Sequence, residues 1–91
     1  MPVASAFMTD ASPTITVYWR PGCPFCSSLH RSMVNAEMTF DMRNIWEDPD
    51  AAAFVRSVAR GNETVPTVTV GDVSFVNPSL DELQRALAAQ R

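Results

Sequence analysis

The stretch "VYWRPGCPFCSSLHRSM", residues 17–33, contains the only two cysteines of the 91-residue chain, Cys23 and Cys26. It begins inside a β-branched and aromatic run, Thr14–Trp19, which is typical of a buried strand. A Pro-Gly turn follows, and from Pro24 to about residue 35 the apolar residues recur at helical spacing. The stretch therefore predicts a strand that passes through a tight turn into a helix, with both thiols at the start of that helix.

The remainder of the chain continues the alternation of strands and helices. A C-terminal helix is predicted after a capping box formed by Ser79 and Glu82, with Asn77-Pro78 as a competing start. The other predicted elements are a strand at Met38–Ile45, a helix that is capped by Asp48 and stopped by Gly61, and a hairpin of the strands Thr67–Val70 and Val73–Val76 around Gly71-Asp72. The order is βαβαββα. Because the first two strands are joined through a helix, they are expected to be parallel. We predict an α/β protein with a four-stranded mixed sheet flanked by helices.

Composition limits the classes of function. The chain has 46% apolar residues and a net charge of −3, which suits a globular core and argues against nucleic acid or an anionic membrane as the main partner. We expect residues 1–13 to be a flexible tail and residues 14–91 a single domain. The start lacks a secretory pattern and no apolar run is long enough to span a membrane, so we expect a cytoplasmic protein. We also expect it to be a monomer.

The position of the thiols predicts their chemistry. At the helix N-cap, Cys23 would face unsatisfied N–H groups and the positive end of the helix dipole, which stabilise a thiolate. Residues three apart in a helix lie about 5 Å apart at Cα, within the range of roughly 4.4–6.8 Å that a disulfide accepts. We therefore expect the Cys23 sulfur to be open to an incoming partner, and Cys26 to face inward as a thiol.

The cysteine pair has three other interpretations besides redox exchange. A structural disulfide would close a very small loop and add little stability. A zinc site needs about four ligands, whereas the chain offers two cysteines and His30. Inert buried thiols are a third alternative. Redox exchange is favoured, because C-x-x-C at the start of a helix after a strand is a thioredoxin-like pattern.

A second motif is "ETVPTV", residues 63–68. Pro66 is tolerated as the residue at which a strand begins, and the motif can be read as a strand entry alone. A cis Val65–Pro66 bond would instead present the backbone of Val65 beside the thiols. The residues alone leave both readings open.

The chain resembles glutaredoxin-type members of the thioredoxin superfamily over about residues 14–88. The residues that carry the resemblance are Arg20-Pro21-Gly22-Cys23-Pro24-Phe25-Cys26 and Thr64-Val65-Pro66. The resemblance implies that Cys23 attacks a mixed disulfide, that Cys26 resolves it, and that Pro66 is cis. The residues that it places against the substrate are Arg20, Phe25, Thr64, Val65, Pro66 and Asp81, with Glu82 as the alternative to Asp81.

The chain departs from the glutaredoxin pattern before the last helix, where Asn77-Pro78 stands in the region of the family's Gly-Gly pair. The stretch "AAAFVRSVARGNETVPTV", residues 51–68, followed by "NPS", residues 77–79, is more similar to mycoredoxins, which use mycothiol. This similarity implies reduction of mixed disulfides between proteins and a low-molecular-weight thiol, with mycothiol or glutathione as co-substrate and no bound cofactor or metal. The expected partners are mycothiolated or disulfide-containing proteins.

Three other functions stay open at this point. One is a glutathione-dependent glutaredoxin. Another is a redoxin that is reduced by thioredoxin reductase and feeds ribonucleotide reductase, although the Trp-Ser-Gly-Phe stretch usual in that group is absent from "VNPSLDEL". The third is an iron–sulfur cluster protein, which the proline after the first cysteine disfavours.

Overall fold

The computed structural model describes residues 13–90, so the predicted tail lies outside the described residues except for Pro13. The elements follow the predicted order βαβαββα. The strands are β1 (Ile15–Trp19), β2 (Asp41–Asn44), β3 (Thr67–Val70) and β4 (Val73–Val76), and the helices are α1 (Pro24–Asn35), α2 (Pro49–Val58) and α3 (Leu80–Ala89).

The four strands form one mixed sheet in the order β2-β1-β3-β4. β1 and β2 are parallel, with Trp19 paired to Asn44 at their carboxyl ends. β3 runs antiparallel to β1 and forms a hairpin with β4, whose turn contains Gly71 at a φ of +59°. Because β1 and β2 end at the same edge of the sheet, the loops that follow them come together there, and one of these loops carries Cys23.

Helices cover both faces of the sheet, as the apolar character of β1 predicted. α2 packs on the face that carries Tyr18, and α1 and α3 pack on the face that carries Val17. The first cluster consists of Tyr18, Ile45, Ala51, Ala52, Val55 and Ala59, and the second of Ile15, Val17, Leu29, Met33, Val68, Val70 and Leu83. The central strand is thus held from both sides, which fixes the position of the turn that follows it.

The helices begin where the capping residues predicted. The Asp48 carboxylate accepts the Ala51 N–H at 3.1 Å at the start of α2. Ser79 and Glu82 form a complete capping box at the start of α3. The competing start at Asn77-Pro78 was wrong, because Asn77 adopts a left-handed φ of +52° before the cap.

β2 is shorter than predicted and comprises Asp41–Asn44 rather than Met38–Ile45. Met38 and Phe40 precede the strand, yet both pack against the core on the α1 side. Met38 and Phe40 lie in a connecting segment, and both are apolar because they pack on the core. Their spacing of two residues is the same as that of a strand, which explains the longer prediction.

Candidate active site

The Cys23 sulfur lies at the N-terminus of α1. Cys23 is the N-cap, with extended backbone angles (φ −99°, ψ 108°), and Pro24 is the first helical residue. The Cys26 N–H donates to Cys23 Sγ at 3.3 Å, and the Cys23 thiol lies 3.8 Å from the Val65 carbonyl oxygen, to which it donates. This arrangement supplies one N–H donor, that of Cys26, to a thiolate at Cys23, in keeping with the predicted N-cap position of Cys23.

The expectation of an open Cys23 sulfur was wrong. Cys23 retains 5% of its accessible surface and Cys26 retains 4%, so exposure does not distinguish the two thiols. The physical reason is the segment around Val65, which lies against Cys23 although it is 42 residues away in the chain. An attacking partner must therefore approach along a restricted direction.

Protonation distinguishes Cys26. Burial, followed by the hydrogen bond to the adjacent Cys23 sulfur, raises the pKa of the Cys26 thiol from 9.0 to about 12. The Arg20 backbone N–H and the Arg20 charge act in the opposite direction. At neutral pH Cys26 is therefore a thiol, as the sequence predicted, and it must lose a proton before it can attack a disulfide.

The second motif, residues 63–68, contacts Cys23 through Val65, just before β3 begins. The Val65–Pro66 peptide bond is cis, as the resemblance implied. The Thr64 carbonyl accepts the Thr67 hydroxyl at 2.7 Å, and the Pro66 carbonyl accepts the Asn77 N–H at 2.7 Å. These bonds tie residues 64–66 to the first residue of β3 and to Asn77, which precedes α3, with the Val65 carbonyl directed at Cys23.

Two aromatic side chains stand out around the thiols. Phe25 is 68% exposed, so its ring lies at the surface. Trp46 is 63% exposed, and the Arg20 guanidinium lies 5.9 Å from its ring centroid. Sequence reasoning missed Trp46. It could have been found from the parallel pairing of the first two strands, because the segments that follow β1 and β2 leave the same edge of the sheet.

A cavity of about 260 Å³ lies on the β2 side of the thiols. Its walls come from the end of β1, the first two turns of α1 and β2. The lining residues are Trp19, Arg20, Gly22, Cys26, Ser27, His30 and Met42. A larger cavity, of about 520 Å³, surrounds Thr14 and Ile15 at the opposite end of β1, away from the cysteines.

The predicted acidic contact is placed on the first turn of α3. The Asp81 carboxylate is exposed and pairs with Arg85 at 2.9 Å, one turn further along the helix. The Glu82 carboxylate accepts the Ser79 N–H at 3.0 Å within the capping box. The structure thus joins Cys23, Cys26, Val65 and Arg20 in one site, while both acidic candidates have partners within α3.

Two further observations concern residues 13–90 only. In this part of the chain, no group of three or more His, Cys, Asp or Glu side chains is arranged to hold a metal ion. Nor is any helix there both long and apolar enough to cross a membrane.

A mixed sheet between helices, with C-x-x-C at the start of the first helix and a cis proline opposite, defines the class of thioredoxin-fold dithiol proteins. Comparison with known proteins narrows the class. The glutaredoxin family model matches residues 15–75. A glutaredoxin homologue of Mycobacterium tuberculosis is 38% identical over 74 residues, which cover 80% of this chain and 88% of that protein.

Two further relatives are a mycoredoxin and a glutaredoxin-like protein. Mycoredoxin 1 of Corynebacterium glutamicum is 36% identical over 58 residues, 64% of this chain and 71% of that protein. The glutaredoxin-like protein NrdH of Escherichia coli is 35% identical over 71 residues, 78% of this chain and 85% of that protein. A solved structure of E. coli NrdH-redoxin superposes with a TM-score of 0.68 over 79% of this chain and 92% of its own.

The chain belongs to the glutaredoxin family. Its fold is thioredoxin-like, and its class of activity is that of the thiol–disulfide oxidoreductases.

Proposed function

We propose that the protein reduces mixed disulfides between proteins and mycothiol, with Cys23 as the nucleophile and Cys26 as the resolving thiol. The proposal rests on one observation above all: Cys23 Sγ accepts an N–H at 3.3 Å at the first turn of α1, beside the Val65 carbonyl. A thiolate in this position is stabilised by the helix N-terminus.

The exchange takes place in two stages. The Cys23 thiolate attacks the mycothiol sulfur of the mixed disulfide, the protein thiolate leaves, and mycothiol stays on Cys23. A second mycothiol thiolate can then attack the mycothiol sulfur and release Cys23. Alternatively, Cys26 attacks the Cys23 sulfur, which expels mycothiol and forms the Cys23–Cys26 disulfide.

The surroundings of the thiols supply candidate contacts for the co-substrate. Val65 offers backbone groups next to Cys23, and Thr64, Pro66 and Phe25 are proposed to complete the contact surface. Arg20 is proposed to attract anionic substrates, in keeping with its place on the wall of the cavity beside Cys26. Asp81 is kept as a proposed contact at the α3 end of this surface.

Two observations favour mycothiol over glutathione. The similarity to mycoredoxin 1 of C. glutamicum is one. The other is the carboxylate of Glu82, which is already bound to the Ser79 N–H of the capping box. To bind the amino group of a γ-glutamyl moiety, this carboxylate would have to compete with the helix cap, which weakens the case for a glutathione pocket there.

The test compares mycothiol and glutathione as reductants of a protein mixed disulfide, using wild-type protein, Cys26→Ser and Cys23→Ser. We expect faster turnover with mycothiol, retained activity in Cys26→Ser, and complete loss in Cys23→Ser. Turnover with glutathione that equals or exceeds turnover with mycothiol would overturn the choice of co-substrate. Activity in Cys23→Ser would overturn the assignment of the nucleophile.

A second candidate is a redoxin that takes electrons from thioredoxin reductase. The observation that favours it is the similarity to E. coli NrdH, which covers 78% of this chain against 64% for mycoredoxin 1. Incubation with thioredoxin reductase and NADPH distinguishes the two. Rapid reduction of the Cys23–Cys26 disulfide under these conditions, without any low-molecular-weight thiol, would favour this second function.

A further inference from the structure

The resolving thiol has a chemical problem that the exchange mechanism leaves open. Burial and the adjacent sulfur keep Cys26 protonated at neutral pH. Only a thiolate is an effective nucleophile toward a disulfide, so the Cys26 proton must be removed before or during the attack. Apart from Cys23, the charged group that acts on Cys26 is Arg20, a cation that cannot accept a proton.

The cavity on the β2 side provides a route for this proton. It has a volume of about 260 Å³ and is lined by both Cys26 and His30. The two residues are four apart on α1, a spacing that places Cβ atoms on the same helix face about 5–6 Å from each other. Since one water occupies roughly 30 Å³ in the liquid, the cavity has room for a water molecule between the two side chains.

Elimination identifies the acceptor among the side chains that line this cavity. The indole of Trp19 donates only, and the guanidinium of Arg20 stays protonated. The Ser27 hydroxyl donates to the Cys23 carbonyl at 3.3 Å, and Met42 contributes a weakly accepting thioether. The imidazole of His30 is the remaining group, and a neutral imidazole has a ring nitrogen that can accept a proton.

We propose that His30 accepts the proton of Cys26, through one water molecule in this cavity, when Cys26 attacks the mixed disulfide on Cys23. A base that acts through a single water is within the reach that proton transfer requires. The proposal deepens the proposed function and rests on its resolving step, in which Cys26 closes the disulfide with Cys23.

The step balances without any further reactant. The Cys26 thiol gives its proton to the imidazole, and the Cys26 sulfur forms a bond to the Cys23 sulfur. The bond between Cys23 and the bound thiol breaks, and the electron pair leaves with that thiol as a thiolate. The thiolate takes a proton from solvent, and the imidazolium of His30 returns one to solvent.

The experiment separates the two stages by using 5,5′-dithiobis(2-nitrobenzoate) on the reduced protein in a stopped-flow instrument. Attack by Cys23 releases one nitrothiolate and leaves the other on the protein. Attack by Cys26 then releases the second. The two phases of colour therefore report the nucleophilic and the resolving step separately.

We expect His30→Gln to slow the second phase at least about a hundredfold, the lower end of the range for loss of a general base, and to leave the first phase unchanged. His30→Phe is expected to do the same while it keeps a ring against Phe40, whose centroid lies 5.8 Å from that of His30. Arg31→Gln, at the next position of α1, serves as the matched control and should leave both phases at the wild-type rate.

The outcomes distinguish a failure of the His30 proposal from a failure of the proposed function. A second phase at the wild-type rate in both His30 variants, or equal slowing of both phases, would overturn the role of His30 and leave the proposed function intact. In the Cys26→Ser background, where the second phase is absent, His30→Gln should have no effect on the first. Loss of the first phase in wild-type protein would instead contradict the reactivity of Cys23 itself.

Discussion

The two cysteines have nearly equal burial, and their chemical difference comes from their surroundings. Cys23 accepts an N–H at the helix N-terminus, whereas the pKa of Cys26 is raised to about 12 by burial and by its neighbour. At pH 7 a thiol with this pKa is ionised to about one part in 10⁵, against roughly 1% for an ordinary thiol with a pKa near 9. Hydrogen bonding and burial of charge, rather than exposure, therefore distinguish the surroundings of the two thiols.

Alkylation tests this difference. Reduced protein treated with iodoacetamide at pH 7 is expected to be modified at Cys23, and Cys26 should react only as the pH rises toward 12. Mass spectrometry of peptides from the labelled protein identifies the site. Cys26→Ser is the control and should show the same single label at the same rate. Equal labelling of both thiols at pH 7 in the wild type would contradict the assignment.

At this scale the sequence predicted the positions of the thiols better than their environment. The C-x-x-C motif and the helix start were sufficient to place Cys23 at the N-cap and Cys26 inside. The burial of Cys23 could not be predicted, because it depends on Val65, which approaches from 42 residues away. The contact of Arg20 with Trp46 was missed for a similar reason, since it depends on the pairing of β1 with β2.

At the scale of elements, one ion pair joins β2 to α2. Arg43 in β2 donates from Nε to the Asp48 carboxylate at 2.9 Å, and Asp48 also caps α2. The Arg43 hydrogen bond, together with the Ala51 N–H, lowers the pKa of Asp48 below its ordinary value of 3.8. Because the folded-state pKa is depressed, the stabilisation is present above about 3.8 and is lost as the pH falls through the folded-state pKa.

Substitution of Asp48 tests this linkage. Asp48→Asn retains a capping oxygen but cannot titrate, so its free energy of unfolding should fall less steeply than that of the wild type as the pH drops below about 4. Urea titrations at several pH values between 5 and 3 give the two slopes. Arg43→Gln is the complementary variant and should also flatten the wild-type dependence. Parallel curves for all three proteins would show that this pair is not linked to acid stability.

The cap of α3 gives a second prediction for an element. The Ser79 hydroxyl accepts the Glu82 N–H at 3.1 Å, and Ser79→Ala removes this acceptor. We expect a loss of about 1 kcal/mol in the free energy of unfolding, measured by urea denaturation. Ser79→Asp restores an acceptor and should remain close to the wild type. A similar loss in both variants would mean that the hydroxyl contributes through another contact.

The order of the elements was predictable because each carries local information, such as caps, the Gly71 turn and the apolar run of β1. The boundaries of β2 could not be predicted, because the alternation of Met38 and Phe40 comes from their tertiary packing and not from strand pairing. Both pack onto the core from the segment before the strand. Apolar residues at every second position indicate which side chains are buried. They do not indicate whether the backbone between them is hydrogen-bonded to a neighbouring strand.

At the scale of the whole molecule, the site depends on packing from both faces of the sheet. Val17 and Tyr18 are neighbours in β1, and they belong to the clusters on opposite faces. α1, which carries both thiols, is anchored through Leu29 and Met33 to the cluster that also contains Leu83 of α3. Because both clusters share β1, damage to either is expected to destabilise the strand that positions the site.

Leu83→Ala tests this dependence. Leu83 is fully buried, and its truncation is expected to cost about 2–5 kcal/mol, a large part of the roughly 5–15 kcal/mol that holds a typical domain folded. Unfolding in urea, followed by far-UV circular dichroism and by the fluorescence of Trp19 and Trp46, should give coincident curves shifted to lower urea. Coincidence is expected because the fluorescence reports the edge of the sheet near the thiols, whereas the circular dichroism reports the helices of both layers.

Val34→Ala provides the matched control, since Val34 lies on α1 but is more than half exposed, and its truncation should change the free energy of unfolding by less than about 0.5 kcal/mol. If Leu83→Ala were no more destabilising than Val34→Ala, the cluster between α1 and α3 would not support the sheet. If instead the fluorescence transition of Leu83→Ala separated from the loss of helix, the two layers would unfold independently. The thiols would then depend on the α1 layer alone, and the covering of both faces would not be what holds the active site together.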